Sequence, residues 1–567
     1  MPPFALSIFL GAFLLFAVQP LVGKYILPWF GGGPSIWTTC LLFFQTVLLG
    51  GYLYAHFSTK YLKPRRQVLL HLGLLVLAVA LLPITPANTW KPQGSDDPIG
   101  RILLLLTVCV GLPYFVLSAT GPLMQQWFSQ TEPNRSPYRL YALSNAGSLL
   151  ALLGYPFYFE REFSRQTQAA LWSGGLVLFT LTCAWCAWRI WRTSPPAPRF
   201  EGETSTAPAA PPLDRLLWFC LAAIASLLLL ATTNKLCQDL AVVPFLWVLP
   251  LSLYLLSFIL CFDHPRWYSR GFFAGLFALG ALTDAYLLFS GHSARLTHQI
   301  VGYSVALFAA CMVCHGELYR LRPAPSRLTS FYLHLAGGGA AGSFLVAVIA
   351  PLVFDRYLEL QIGLWLLTYF VGVVAFRQRS VALAAGTAAG ALAAGLVIPA
   401  LKATAKRDTG SWAAFAGQLS AFHRDHWTIG VFLAGAFLLG FVGRRGWVRE
   451  WQLRTGNFLM LFSIGVGAIM IVQIRSETES AVSTSRDFYG VLKVFDHNAD
   501  DPAQHYFTLV HGVTSHGLQF TAPDKSAWPT SYYGETSGVG RVLRELSRDP
   551  RSPPRRIGLV GLGPGTV

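Results

Sequence analysis

This sequence is poor in charge. Charged residues make up 12% of it against 53% hydrophobic, and only 27 residues are acidic, whereas a soluble domain carries about 25% charge. An ordinary soluble globule is thereby excluded. Cysteine is scarce outside apolar stretches: the nine (40, 109, 183, 186, 220, 237, 261, 311 and 314) fall almost entirely within apolar runs. That placement excludes a secreted disulfide framework and fits small buried hydrophobes. Despite a net charge of +16 there is no basic stripe with interleaved aromatics, so no nucleic-acid partner is expected. The opening "MPPFALSIFLGAFLLFAVQP" lacks a basic start and a small-residue cleavage site. It reads as a retained first span, with a removed signal peptide the weaker reading.

What is present is a series of apolar runs near 20 residues long, recurring from residue 4 to residue 473. Each is long enough to cross a hydrocarbon core of about 30 Å. Spans are predicted over 4–22, 36–56, 68–85, 101–119, 140–158 and 168–190, then 215–233, 241–262, 271–290, 299–315, 331–354 and 360–376. Three more are predicted near 381–401, 428–443 and 457–473. The expected fold class is mainly α, a polytopic helical membrane protein of about 14 spans with two six-helix repeats. A small β-hairpin unit and the first strand of a truncated Rossmann-like α/β domain are expected after it. The expected localisation is integral to a bacterial-type inner or plasma membrane, with the lipid bilayer as partner.

The domain boundaries follow composition. Residues 1–192 form a first membrane repeat, 193–214 a Pro/Ala/Ser/Thr linker, 215–376 a second repeat and 377–474 additional membrane helices. Residues 475–540 are a β-hairpin unit, and 541–567 begin a nucleotide-binding domain. Duplication is read from "AGSLLALLGYP" at 146–156 and "AGSFLVAVIAP" at 341–351, offset by 195 residues, as are "GPL" at 121–123 and "GEL" at 316–318. "PSIW" ending at Trp37 and "PFLW" ending at Trp247 are offset by 210. Such parallel six-span copies resemble major-facilitator-type transporters. The small residues of "LAGGGAAGS" suit close helix packing.

Loop charge sets the orientation. Alternate loops, counted from the one holding Lys60, Lys63, Arg65 and Arg66, carry about 17 Lys/Arg, and those on the other side about 8. The richer side is cytoplasmic by the positive-inside rule. Fifteen spans then place the C-terminal segment outside and fourteen place it inside. The expectation is an even number and a cytoplasmic tail, because a nucleotide cofactor is made in the cytosol.

After residue 475 charge rises and long apolar runs vanish. "FYGVLKVFD" and "HYFTLVHGVTSHGLQF" flank the turn-rich "HNADDPAQ" and read as an antiparallel unit. "SGVGRVLRELSRD" reads as a helix, and "RIGLVGLGPGTV" as a strand followed by a loop holding Gly561, Gly563 and Gly565. Glycines after a buried strand let the backbone turn sharply and let a nucleoside approach.

At these residues the chain resembles the membrane-fused spermidine synthase-like family. The likeness rests on "FLGAFLLFAVQPLVGKYILPWFGGGPSIWTTCLLFFQ", "YALSNAGSLLALLGYP", "NKLCQDLAVVPFLWVLPLSLYLLSFILCF" and "MVCHGEL", then on "LVHGVTSHGLQF", "SYYGETSGVG" and "GLVGLGPGT". The resemblance implies a β-hairpin unit, a helix and a Rossmann-like domain that transfers a group to an amine (polyamine biosynthesis-like). The cofactor is S-adenosylmethionine or its decarboxylated form, held at Gly561, Gly563 and Gly565. His516, Gln519, Tyr532 and Tyr533 would lie near the amine substrate. Pro564 stands where spermidine synthases carry an acidic residue, so generic binding of an S-adenosyl compound is what the resemblance supports. The acidic base that deprotonates the attacking amine would follow residue 567. The chain is therefore expected to be an inactive fragment with no catalytic residue of its own.

The alternative is a membrane transporter of an amine or related small solute, with Lys235, Asp284 and Glu317 as intramembrane polar candidates. An ionisable group in lipid is costly and must pair or face a cavity, and Asp284 with Lys235 is one pairing. Cys311-Met-Val-Cys314-His315 matches a haem c attachment pattern, but it ends a span on the cytoplasmic side. It reads as a packed cysteine pair, with no metal or haem expected.

Overall fold

The computed structural model describes residues 2–32, 34–92, 97–132, 138–193, 211–239, 244–291, 294–323, 327–405, 449–478, 481–512 and 514–547. It divides into two compact units, one of Met1–Ala350 with Glu359–Met470, the other of Pro351–Leu358 with Ile471–Val567.

The first unit is helical. Its elements are α1 (Pro2–Ile26), α2 (Pro34–Tyr61), α3 (Pro64–Ala80), α4 (Pro98–Thr131), α5 (Tyr138–Gly154) and α6 (Arg165–Thr193), then α7 (Pro212–Asp239), α8 (Pro244–Asp263), α9 (Arg270–Ser290), α10 (Leu296–Arg320), α11 (Leu328–Phe344), α12 (Glu359–Gln378), α13 (Val381–Ala405) and α14 (Arg449–Thr478). Six of them open on proline, whose missing N–H costs nothing in a first turn. Asp97 caps α4, its carboxylate accepting from Ile99 N at 3.2 Å and Gly100 N at 2.9 Å. Twelve helices among the described residues are long and apolar enough to cross a membrane, which makes this an integral membrane protein. The expected span over 428–443 lies outside the described residues. The span expected over 101–119 runs on to Thr131 as α4. Its polar continuation is buried because Trp127 Nε1 donates to Gln67 Oε1 at 2.9 Å and Gln125 Oε1 accepts from Tyr332 at 3.2 Å.

Helix pairing is systematic. In the first set α1 packs on α4, α5 and α6, α2 on α4, and α3 on α4 and α6. In the second set α7 packs on α10, α11 and α12, α8 on α10, and α9 on α10. Between the sets α2 lies on α11 and α5 on α8. The two helices carrying the Ala-Gly-Ser motif, α5 and α11, each run into a wider π-type turn, Tyr155–Phe159 and Leu345–Ile349. Proline lies within the first turn (Pro156) and just after the second (Pro351), where it removes a hydrogen-bond donor from the ladder. One position breaks the parallel: α9 packs on α13.

Glycine permits two of these contacts. A Cβ on Gly342 would lie 2.2 Å from the Ala223 carbonyl, and one on Gly338 2.2 Å from that of Phe219. Small residues let α7 and α11 touch backbone to backbone, as the "LAGGGAAGS" stretch suggested. Gly342→Leu is expected to prevent a stable bundle, read as loss of a monodisperse peak in detergent; overpacking costs about 1–3 kcal/mol or more. A peak like that of the parent would disprove the close crossing.

Direction along the bundle is fixed by contacts. Gly363 meets Leu227 and Leu228, while Arg377 pairs with Asp214, so α12 runs antiparallel to α7. Gly456 meets Phe376, Thr368 bonds Ser463 at 3.0 Å and Gly467 meets Trp365, so α14 runs antiparallel to α12. Thr38 donates to Asn234 at 2.9 Å and Gln45 to Ser226 at 3.1 Å, so α2 runs antiparallel to α7. The Lys60 end of α2 therefore lies at the bundle face where α12 ends and α14 begins.

The second unit holds a four-stranded antiparallel meander in the order β1 (Ala481–Asp487), β2 (Gly490–His497), β3 (Tyr506–His511) and β4 (Thr514–Phe520). Asp487 Oδ1 accepts from Tyr489 N at 2.8 Å and Gly490 N at 3.1 Å, closing the first turn. Arg486 donates to the Arg356 carbonyl at 2.7 Å and lies over the Tyr357 ring, tying β1 to the 351–358 loop. Helix α15 (Gly538–Ser547) follows, capped by Ser537, whose hydroxyl accepts from Gly540 N at 3.1 Å. The strand expected before Gly561 lies outside the described residues.

Candidate functional site

The clearest polar corner of the second unit is built on a bulge. Leu509 opposes Gly517 and Val510 opposes Ser515, which leaves His516 as the extra residue on β4. A bulge re-aims its side chain, and Gly517, at φ +150, supplies the backbone freedom. The chain returns through Thr530, whose hydroxyl donates to the Leu518 carbonyl, into the turn Ser531–Tyr533. There Tyr532 OH lies 3.0 Å from His516 Nδ1, and the Tyr533 OH 3.5 Å from that of Tyr532. Three of the four expected substrate residues, His516, Tyr532 and Tyr533, therefore share one corner. Gln519 stands on β4 opposite Phe507 and has no hydrogen bond to that corner. A neutral imidazole and two phenols can accept hydrogen bonds from an ammonium group and cover its carbon chain. Gly561, Gly563 and Gly565 lie outside the described residues.

The intramembrane candidates stand on three helices, Lys235 on α7, Asp284 on α9 and Glu317 on α10. Glu317, near the end of α10, is buried and chelated by Arg270, with Nε to Oε1 at 2.7 Å and Nη2 to Oε2 at 2.6 Å. Tyr268 OH donates to Oε1 at 2.8 Å, and Arg270 also reaches Gln378. Burial, then the Glu317 carboxylate, push the Tyr268 phenol well above its ordinary pKa, so it remains a donor. Asp284 is 1% exposed within α9, and its Oδ1 has no hydrogen-bond partner. Lys235 stands on a different helix, α7. The sequence offers no signal for Arg270 as the partner of Glu317, because 47 residues separate them.

Cys311 and Cys314 are buried thiols, in keeping with a packed pair. His315 beside them is fully buried, its Nδ1 2.8 Å from Ser257 Oγ and its ring 3.5 Å from that of Phe258. Among the described residues no group of three or more His, Cys, Asp or Glu could hold a metal ion.

A second polar and aromatic region lies where the two helix sets meet. At one end Trp37 and Trp247 pack ring on ring, centroids 3.9 Å apart. They are the tryptophans of the matching "PSIW" and "PFLW" stretches, a signal visible in the sequence. Deeper in, Gln45, Ser226 and Ser343 join α2, α7 and α11. Tyr141 of α5 stacks on Tyr332 of α11 at 4.9 Å, Tyr52 of α2 meets Tyr332 at 6.4 Å, and Phe258 of α8 joins Tyr141 to Tyr254. Tyrosine faces attract organic cations. No protein-family model matches the sequence, and no curated protein matches it.

Proposed function

We propose that this is a membrane-embedded spermidine synthase-like protein whose C-terminal part belongs to a transferase, one moving a group from S-adenosylmethionine or its decarboxylated form to an amine. The observation that carries the reading is the order of parts in the second unit. An antiparallel β unit comes first, then the His516–Tyr532–Tyr533 corner, then a short helix leading to "IGLVGLGPG". That order is the one the resemblance implies. Gly561, Gly563 and Gly565 would hold the nucleoside, and the corner would receive the amine. In a chain continued past Val567 to include an acidic base, Tyr532→Phe is expected to raise the KM for the amine about ten-fold, the loss of one good hydrogen bond, with kcat little changed. An unchanged KM would remove the corner from the substrate site.

A second reading, transport of an amine or related cation by the bundle, is favoured by the helix pairing. Exchanging the two sets turns α2-on-α11 into α8-on-α5, and both contacts occur. This supports two six-helix copies about a pseudo-two-fold axis, with the tyrosines at their seam. The readings make different demands on sidedness. The enzymatic reading needs the C-terminal unit in the cytosol, where an S-adenosyl cofactor is made, whereas the transport reading is indifferent to the side on which that unit lies.

A further inference from the structure

Asp284 and Glu317 lie on neighbouring helices and are equally buried, each 1% exposed. Their surroundings differ. Glu317 accepts from the Arg270 guanidinium and from the Tyr268 hydroxyl. Nothing donates to Asp284 Oδ1, and the Oγ1 of Thr283 beside it is likewise buried without a hydrogen-bond partner. Helix α9 packs on α10 and α13, and small residues bring both close enough to exclude water. A Cβ on Gly302 of α10 would lie 2.5 Å from Leu287 Cδ1 and 3.8 Å from both Asp284 Oδ1 and Thr283 Cγ2. One on Gly280 would lie 2.8 Å from the Ala306 Cα, and one on Gly390 of α13 would overlap the Gly275 carbonyl. The titratable side chains nearest to Asp284 along these helices are Tyr286 on α9 and, on α10, Tyr303 beside Gly302 with His298 one turn before it. On α13, continuing the register of Gly275 with Gly390 leads to Lys402, which is exposed. None of the four donates to Asp284 Oδ1.

We propose that Asp284 is a proton-binding site of the bundle, loaded in this packed arrangement and exchanging its proton with water when α9 and α10 part. An ionised carboxylate without a donor is far costlier in a water-excluded interior than the neutral acid. Glu317 meets that cost with a guanidinium; Asp284, lacking one, meets it by holding a proton. Protonation forms the O–H bond of a carboxylic acid and removes the charge, and release returns the proton to water. The site therefore gives the α9–α10 crossing a neutral closed state and a charged state that needs water. The inference is independent of what the C-terminal unit does. Under the transport reading, Asp284 is the point at which a proton gradient acts on the bundle.

The test is infrared difference spectroscopy on the full chain in detergent at neutral pH. Subtracting the Asp284→Asn spectrum from that of the parent is expected to leave the carbonyl stretch of one protonated carboxylic acid and no carboxylate bands. In heavy water that stretch should shift over hours, because the proton exchanges when the crossing opens. Replacing potassium by sodium in the buffer should leave it in place, since the site holds a proton and not a metal cation. Asp284→Glu should keep a protonated-acid stretch at a displaced position, and this variant supplies the difference spectrum if the Asn variant does not fold. Carboxylate bands from Asp284 in place of the acid stretch would overturn the proposal. So would an acid stretch that sodium abolishes, or one that never shifts in heavy water and so marks a proton permanently locked in.

Discussion

A cysteine placed at Asn88, in the exposed segment between α3 and α4, is expected to react with a membrane-impermeant maleimide on intact cells, and one at Lys63 is expected to be protected. The contrast should be close to all-or-none, because a bilayer either separates reagent and thiol or does not. The expectation rests on two independent observations. Gln67 of α3 donates to Ser58 and Thr59 of α2, and Tyr54 meets His71, so α3 runs back along α2 and ends at the face opposite Lys63. The asymmetry of about 17 against about 8 Lys/Arg assigns the Lys63 face to the cytoplasm. Background should be low, since seven of the nine native cysteines are buried and the other two, Cys109 and Cys220, are half-buried on helices. Labelling of both positions, or of neither until the membrane is opened, would contradict the helix directions. Labelling of Lys63→Cys alone would keep those directions and reverse the charge-based orientation.

Arg270→Ala is expected to destabilise the first unit by about 3–5 kcal/mol, the usual cost of leaving a buried charge without its partner. The Glu317 side chain is 2% exposed and that of Arg270 11%, so water cannot replace the guanidinium. The pair also fastens three helices, since Arg270 begins α9, Glu317 lies on α10 and Gln378 ends α12. Replacing both charges, as in Arg270→Met with Glu317→Leu, should recover most of the loss, because an apolar pair avoids the desolvation cost. Thermal unfolding in detergent reads both variants. A loss under about 1 kcal/mol for the single change would show the pair to be solvated.

The membrane fold was largely legible because span length and hydropathy are local properties. Fourteen of the fifteen predicted spans fall on helices, twelve of which are long and apolar enough to cross a membrane, and the fifteenth lies outside the described residues. Their ends were less legible: α4 continues past residue 119 into a polar stretch that tertiary hydrogen bonds bury. β1 was missed because "AVSTSRD" is an edge strand with no apolar alternation, and its pairing with β2 decides it. Of the four residues that the family resemblance names, His516, Tyr532 and Tyr533 lie in one corner, while Gln519 stands on β4 three residues beyond the bulge. Partners far apart in sequence, such as Glu317 with Arg270, depend on helix crossings that no local pattern encodes.

The central claim is that the C-terminal unit serves an S-adenosyl compound. Its most direct test is calorimetric titration of S-adenosylmethionine and its decarboxylated form into two chains, one ending at Val567 and one continued past it. Saturable binding by the continued chain, lost on replacing Gly561 and Gly563 by valine, is the predicted result, and the preferred cofactor then separates methyl from aminopropyl transfer. No binding of either compound by either chain would contradict the claim and leave the seam between the two helix sets as the place where this protein acts.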